Sequence, residues 1–448
     1  MNRILQGTVF DRLPEIEPRS VDCCVTSPPY WALRSYLPKG HALKHLELGC
    51  EKTPAEYVAA MVRVFGLVRE TLADHGTVWL NVGDTYTHAP GKRKTTDVIG
   101  AKQETNHGSN QTGNAHAPGI EEGNLCLIPQ RLAIGLQDSG WIVRSYIVWS
   151  KLAPMPQSMT GWSWRQHRIK VKSGSKYKNS SPDRLGEEVN VGFSMDDKSL
   201  NAEWVDCPGC KKCLPNGGLV LRKGSWRPTS SYEPILMLAK TPDYFADGEP
   251  VKTEAAESTV SRDKYSRVLE DEDEQFAVRH DHETTCDNGA NLRDVWRIGA
   301  EPLSEKHYAA YPTELVRKCL LAGTSAKGYC ASCGKPWVRV LESKSVPHPS
   351  PRARGREAID VNGGNQANGS AAVAPETKTV GWRQSCKCAA GEPRPGLVLD
   401  PFCGSGRTAI TASRMGLDFI GVELNPDFVS MAERILRADS PLFNGVES

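Results

Sequence analysis

The chain has 448 residues, a formal net charge of +2 and an apolar share of 39 %. That length exceeds one ordinary domain and points to two or more lobes, or to one large domain with insertions. The near-neutral balance excludes a histone-like polycation but allows a local basic groove, because binding follows where charge sits rather than its sum. No apolar run is long enough to span a membrane. The N-terminus MNRILQGTVFDRLPE lacks the basic-then-apolar pattern of a secretion signal, so a cytoplasmic protein is expected. In a reducing compartment, CxxC pairs among the 14 cysteines read as metal ligands before disulfides.

Residues 1–30 read as a strand that ends in the stub Ser27-Pro28-Pro29-Tyr30. Two prolines can neither continue a helix nor donate to a sheet ladder, so the stub is rigid and terminal. Residues 54–74 show helical periodicity, and Thr53 with Glu56 has capping-box spacing. Gly76 is expected to stop that helix, and 77–82 reads as a buried strand, giving a βαβ-like unit. Residues 88–123 are polar and read as a mobile loop. A helix over 125–136, a strand over 141–149 and a strand over 231–239 follow. Between the last two, 161–180 holds six Lys/Arg and no acid, interleaved with Trp162, Trp164 and Tyr177. Residues 270–274 are all acidic and are expected to face solvent, and 347–379 reads as a linker.

The C-terminal stretch GLVLDPFCGSGRTAITASRMGLDFIGVELNPDF is the most informative. An apolar strand reaches Asp400, a turn carries Gly404 and Gly406, a helix follows, and a second strand ends in Glu423. This is the pattern of a nucleoside site in a doubly wound sheet: glycines let the backbone approach the ligand, and the acid bonds a ribose hydroxyl pair. No GxxxxGK[ST] is present, so it is not a P-loop, and no GxGxxG, so a dinucleotide is disfavoured.

Taken together, TSPPYW near the start and DPFCGSGRT…FIGVELNP near the end resemble the amino-group DNA methyltransferases, in the permuted beta order that places the catalytic motif first. The blocks 77–86, 131–151, 225–240, 293–299 and 307–325 are similar to the intermediate blocks of that family. Cys403 and Arg407 depart from its usual residues, within the glycine loop. The resemblance implies a Rossmann-like S-adenosylmethionine-dependent α/β fold: a mixed seven-stranded sheet, helices on both faces, and inserted DNA-recognition and zinc-binding segments. It implies transfer of a methyl group from S-adenosyl-L-methionine to the exocyclic amine of cytosine (N4) or adenine (N6). It also implies cofactor contacts at Asp400, Phe402, Gly404, Gly406 and Glu423, and at Thr324 and Ser325 near the methionine end. His307 and Tyr311 read as core. The implied layout is a catalytic half over 1–154, an insert over 155–224, a strand over 225–240 and target recognition within 241–295. The cofactor half covers 296–328 and 395–448, with a zinc knuckle and linker over 329–394.

An exocyclic amine is a poor nucleophile because its lone pair is delocalised into the ring. Two acceptors for its two hydrogens aim the lone pair at the donor methyl. Ser27 Oγ and the Pro28 carbonyl suit those roles, with the Pro28-Pro29 pair fixing the backbone. Tyr30 can stack on a base flipped out of the duplex. Serine at the head of the stub favours cytosine by resemblance, with adenine as the alternative. Cys23 and Cys24 read as core, and Asp22 as a strand-start turn acid outside the site.

Cys330, Cys333, Cys386 and Cys388 form a CxxC…CxC set suited to structural zinc. Cys207, Cys210 and Cys213 form a second set whose fourth ligand is His167 or Cys286. Arg165, Arg168 and Lys170 are the candidate phosphate contacts. The expected partners are double-stranded DNA and a cognate restriction endonuclease, with no membrane. The competing readings are an RNA or protein-glutamine N-methyltransferase and a non-catalytic zinc-bearing DNA-binding protein.

Overall fold

The computed structural model describes residues 2–37, 40–87, 117–154, 161–171, 176–178, 188–190, 203–253, 289–301, 310–344, 376–389 and 391–439. Most of the 88–123 segment, the acidic run 270–274, Cys286, His307, the 347–375 stretch and most of the 241–295 region lie outside the described residues. Two compact units emerge: Met1–Ala153 with Tyr232–Ser448, and Pro154–Ser231. No described helix is long and apolar enough to cross a membrane.

The first unit begins with β1 (Asn2–Gln6), α1 (Val9–Arg12) and β2 (Val21–Thr26). Residues 1–30 are therefore not one strand. The Thr8 hydroxyl accepts the Asp11 N–H at 3.1 Å and starts a short helix between the two strands. Next comes α2 (Pro54–Thr71), with the Thr53/Glu56 capping box formed in both directions. Its stripe of Tyr57, Met61, Val64, Phe65 and Val68 is buried at helical spacing. β3 (Leu72–Asn81) pairs in parallel with β2 and completes the βαβ unit. It begins at Leu72 rather than Thr77, because the β2–β3 register slips between Val21 and Cys23 and lets 73–76 loop out of the ladder. α3 (Ile128–Asp138) and β4 (Ile142–Lys151) lead into the second unit.

That second unit is built from β5 (Trp162–Gln166), β6 (Arg168–Val171), β7 (Lys176–Lys178), β8 (Glu188–Asn190), β9 (Glu203–Asp206) and β10 (Leu219–Lys223). They form antiparallel pairs: β5 with β10, β6 with β9, β7 with β8. The first unit resumes with β11 (Tyr232–Ala239), β12 (Val295–Ile298), α4 (Thr313–Gly323) and the hairpin of β13 (Trp337–Lys344) with β14 (Glu376–Gln384). It ends with β15 (Leu397–Asp400), α5 (Arg407–Arg414), β16 (Asp418–Glu423) and α6 (Pro426–Asp439).

Among the described residues, eight strands make the main sheet, in the order β1-β16-β15-β2-β3-β11-β4-β12. Only β11 runs against the others. The expected mixed sheet is present, with one strand more than seven; the addition is β12, which pairs with β4 at the edge. Every residue of β2 is buried, as befits a central strand covered on both faces. Cys24 joins the core under α2 and α3, and Cys23 joins the opposite core under α4, α5 and α6. Both cysteines are core residues, as expected.

Asp22 is more than a turn residue. It is fully buried and accepts from Arg394 Nη1 at 2.7 Å and from the Leu397 N–H at 2.8 Å, and it pairs with His75 at 3.0 Å. It ties the starts of β2 and β15 together. Strand order reverses between those same two strands, because β15 leads to β16 on one side and β2 leads to β3 on the other. A crevice at their C-terminal ends is the expected ligand site of such a sheet.

Candidate active site

A cleft enclosing about 1130 Å³, open solvent included, occupies this crevice. The stub Ser27, Pro28, Pro29 and Tyr30 forms one wall, and Phe402, Gly404 and Glu423 form the facing wall. The two motifs meet because β2 and β15 are neighbours.

The stub is held from behind. The Tyr57 hydroxyl of α2 donates to the Pro29 carbonyl at 2.9 Å. The Tyr30 hydroxyl lies 2.7 Å from Glu233 Oε2 and 3.0 Å from Asn81 Oδ1, with Ser27 Oγ at 3.4 Å. Burial, and next the charge of Glu233, push the Tyr30 phenol well above its ordinary value. Its ring covers Gly83, where a Cβ would lie 2.4 Å from the ring. Glu233 is also paired with the Lys151 ammonium. Asn81, Gly83, Lys151 and Glu233 fall within the blocks similar to the family, but nothing in the sequence marks them individually as site residues. They come from β3, the turn after it, β4 and β11, and only the spatial order of those strands brings them to Tyr30.

The glycine loop is organised by two carboxylates. Asp400 is buried and does not line the cleft. It accepts from the Thr26 hydroxyl at 2.7 Å, the Phe402 N–H at 3.1 Å and the Tyr311 hydroxyl at 2.9 Å. Burial raises its pKa despite these donors. Asp400 thus braces the loop from beneath. Glu423 does face the cleft. Its carboxylate takes the Gly404 N–H at 2.8 Å and the Asn425 N–H at 2.8 Å. Burial drives its pKa from 4.5 up to about 7. Gly406 has φ of +80° and packs on Ala432, where a Cβ would come within 3.1 Å. It shapes the turn rather than lining the cleft.

The two departures in the loop are both accommodated. Cys403 is buried against Gly421, where a Cβ would meet its sulfur at 2.6 Å. Arg407 donates to Glu301 Oε1 at 2.6 Å. Tyr311, read as core, is buried but also reaches the cleft wall. Thr324 and Ser325 do not. They sit at the far end of α4 from Tyr311, about 16 Å away at the helical rise of eleven residues. Thr324 bonds the Leu320 carbonyl at 2.6 Å and Ser325 the Trp337 carbonyl at 2.6 Å. The block that carries them runs away from the site, so only its start reaches the cleft.

Among the described residues, two clusters have metal-ligand spacing. Ligand atoms of Cys330, Cys333, Cys386 and Cys388 all lie within 4.8 Å of one another, as do those of His167, Cys207, Cys210 and Cys213. A tetrahedral zinc with thiolates at about 2.3 Å requires sulfurs about 3.8 Å apart, and Cys210 and Cys213 stand at 3.7 Å. His167 Nδ1 lies 3.3 Å from Cys210 Sγ, which brings His167 into the second cluster; the other candidate, Cys286, lies outside the described residues. N–H groups of Cys333 and Ser332 pull the Cys330 thiol down to about 6.

In the second unit, Arg165 lies on β5, and Arg168 and Lys170 lie on β6. Trp162 and Trp164 are exposed and share one face of the β5–β10 hairpin, so strand alternation puts Arg165 on the other. Arg168 is partly engaged, with the Trp204 carbonyl at 2.5 Å and Asp206 at 3.5 Å.

The strand order and the loop at the switch point define an S-adenosylmethionine-dependent methyltransferase fold. The chain belongs to the N6/N4 DNA methylase family, whose sequence model matches residues 21–331 and 390–434. Among relatives, the Type II methyltransferase M.SmaI of Serratia marcescens is 25 % identical over 438 residues, covering 97 % of this chain and 91 % of the relative. M.Cfr9I of Citrobacter freundii is 23 % identical over 444 residues, covering 97 % and 88 %. Among solved structures, the PvuII DNA methyltransferase (cytosine-N4-specific) is 12 % identical with a TM-score of 0.43, covering 99 % of this chain and 87 % of that one. A Thermus thermophilus protein described as a DNA modification methylase, crystallised with S-adenosyl-L-methionine, is 15 % identical with a TM-score of 0.42, covering 100 % of both chains.

Proposed function

We propose that this DNA methylase transfers a methyl group to the exocyclic amine of a base flipped out of double-stranded DNA, with cytosine N4 favoured over adenine N6. The observation that carries the reading is the single cleft walled on one side by Ser27-Pro28-Pro29-Tyr30 and on the other by Phe402, Gly404 and Glu423. S-adenosyl-L-methionine, when bound, supplies the methyl on a sulfonium. Glu423 holds the ribose hydroxyls, Gly404 allows close backbone approach, and Phe402 covers the ligand. Ser27 Oγ and the Pro28 carbonyl accept the two amine hydrogens. The Pro29 carbonyl already accepts from Tyr57, which favours Pro28 for the role. Tyr30 stacks on the flipped base.

The choice of cytosine rests on the serine of the stub, carried from the family resemblance. The Type II relatives support a site-specific enzyme that protects DNA from a partner endonuclease, working in the cytoplasm of a bacterial, archaeal or phage-infected cell. Both cysteine clusters are proposed to hold structural zinc. Arg165, Arg168 and Lys170 are proposed to contact phosphate. Mass spectrometry of nucleosides from DNA incubated with the protein and S-adenosylmethionine tests the reading. N4-methylcytosine is expected. N6-methyladenine overturns the base choice, and no methylated nucleoside overturns the function.

A further inference from the structure

Behind the stub, four side chains form a hydrogen-bond chain with a direction. The Lys151 ammonium donates to Glu233 Oε1. The Tyr30 hydroxyl donates to Glu233 Oε2 at 2.7 Å. The Ser27 hydroxyl faces the Tyr30 oxygen at 3.4 Å as donor, the sort of bond that tightens when substrate binds. An ammonium offers only donors and an ionised carboxylate only acceptors. The far end of the chain therefore sets its polarity. Lys151 gives, Glu233 takes, and the single Tyr30 proton is committed to Glu233. Asn81 strengthens the bias. Its amide nitrogen donates to the Pro234 carbonyl at 3.1 Å, which turns its oxygen toward Tyr30 at 3.0 Å. With acceptors on that side, the Tyr30 oxygen is left to receive the Ser27 proton.

We propose that Glu233, held by Lys151, is a positioning residue for methyl transfer: through Tyr30 it draws the Ser27 proton away from the cleft, so that Ser27 Oγ presents lone pairs to the substrate amine. The inference rests on the reading that the amine docks at Ser27. It adds the device that makes a serine hydroxyl, which can donate as readily as accept, act as an acceptor there.

The test is Glu233→Gln. Lys151 has only donors, so it claims the new amide oxygen and turns the NH₂ group to Tyr30. Tyr30 then keeps only Asn81 as its acceptor, and its oxygen receives the new amide N–H, which competes with the Ser27 proton for the same lone pairs. At saturating DNA and S-adenosylmethionine, kcat is expected to fall on the order of 10²-fold, the scale of losing one preorganised polar contact. Cofactor binding by calorimetry and DNA binding by anisotropy stay within about twofold, well under the tenfold that 1.4 kcal/mol represents. Adding Lys151→Met frees the amide to flip and offer its oxygen to Tyr30, and kcat recovers in part. A merely structural role for the ion pair predicts that the double variant is worse than the single. Tyr30→Phe keeps the ring and removes the relay. It should match the Glu233→Gln loss, and it decides the question if Glu233→Gln does not fold. Wild-type kcat in Glu233→Gln, or in Tyr30→Phe, overturns the proposal, as does a double variant more impaired than the single. Absence of methyl transfer by the wild-type protein overturns the functional reading instead.

Discussion

The Thr26 hydroxyl donates to Asp400 Oδ1 at 2.7 Å, joining residues 374 positions apart at the ends of neighbouring strands. Thr26 is the last residue of β2, directly before the stub, and Asp400 is the last of β15, directly before the glycine loop. Together with the β2–β15 ladder, this bond ties the two walls of the cleft to each other. Thr26→Val keeps the shape and leaves a buried carboxylate oxygen short of a donor. It should destabilise the fold by about 1.5–3 kcal/mol and weaken cofactor binding, measured by urea unfolding and calorimetry.

Glu423 gives the cofactor site a pH dependence. Burial pushes its carboxyl up to about 7, and in the proposed cofactor site the ionised form is the better acceptor for two ribose hydroxyls. The ionised fraction falls about tenfold between pH 8 and pH 6, so affinity for S-adenosylmethionine should fall by about the same factor. Glu423→Gln should bind weakly with a flat profile. Stability of the ligand-free protein moves the opposite way to affinity. A pKa raised above 4.5 in the folded state contributes stability that is complete below 4.5 and is lost as pH rises through about 7.

The contact between Gly83 and the Tyr30 ring has no room for a side chain. Gly83→Ala places a carbon 2.4 Å from the ring and should swing Tyr30 off the stub. Methyl transfer should fall at least about tenfold, or ~1.4 kcal/mol in the barrier, while calorimetry shows cofactor binding unchanged.

Two zinc ions per chain are expected by plasma mass spectrometry, one for each cysteine cluster. Cys333→Ser should remove one ion and lower the melting temperature of the first unit. Cys210→Ser should remove the other and alter DNA binding more than thermal stability of the catalytic sheet.

Replacing Arg165, Arg168 and Lys170 together by alanine should reduce the slope of log affinity against log salt by about 2 to 3, close to one for each phosphate no longer neutralised. The Asp206 partner of Arg168 makes the lower figure the expectation. Anisotropy titrations on duplex DNA over a salt series measure the slope.

The stub and the glycine loop are legible in the sequence because each is a local pattern whose residues lie in one short stretch. Much of the sheet is legible for the same reason, since β15, α5, β16 and α6 follow apolar runs that end at glycine or at a capping asparagine. Asn425 shows this, accepting the Asp427 N–H at 2.9 Å. What converges only in three dimensions is not legible. Glu233 lies in an apolar run and reads as a strand residue, and nothing in its neighbourhood points to Tyr30. Thr324 and Ser325 show the converse. Their block begins at the cleft, but α4 carries its end away from it, where Gly323 packs against Cys23, Thr77 and Trp79 of the central strands. The fourth ligand of the second cysteine cluster stays open between His167 and Cys286 in sequence because the residue before β6 and the turn carrying Cys207 meet only through backbone pairing, with the Cys207 N–H donating to the His167 carbonyl at 2.8 Å.

The pairing of β2 with β15 also bears on how the protein is made. Folding during synthesis starts from the N-terminal side, and there the βαβ unit with its stub can assemble early. The opposite wall of the cleft is translated hundreds of residues later, and closing so long a loop is slow. A ribosome-bound chain therefore carries a stub facing nothing. The cleft cannot act until β15 and β16 have been made, so any methyl transfer waits for the C-terminal strands.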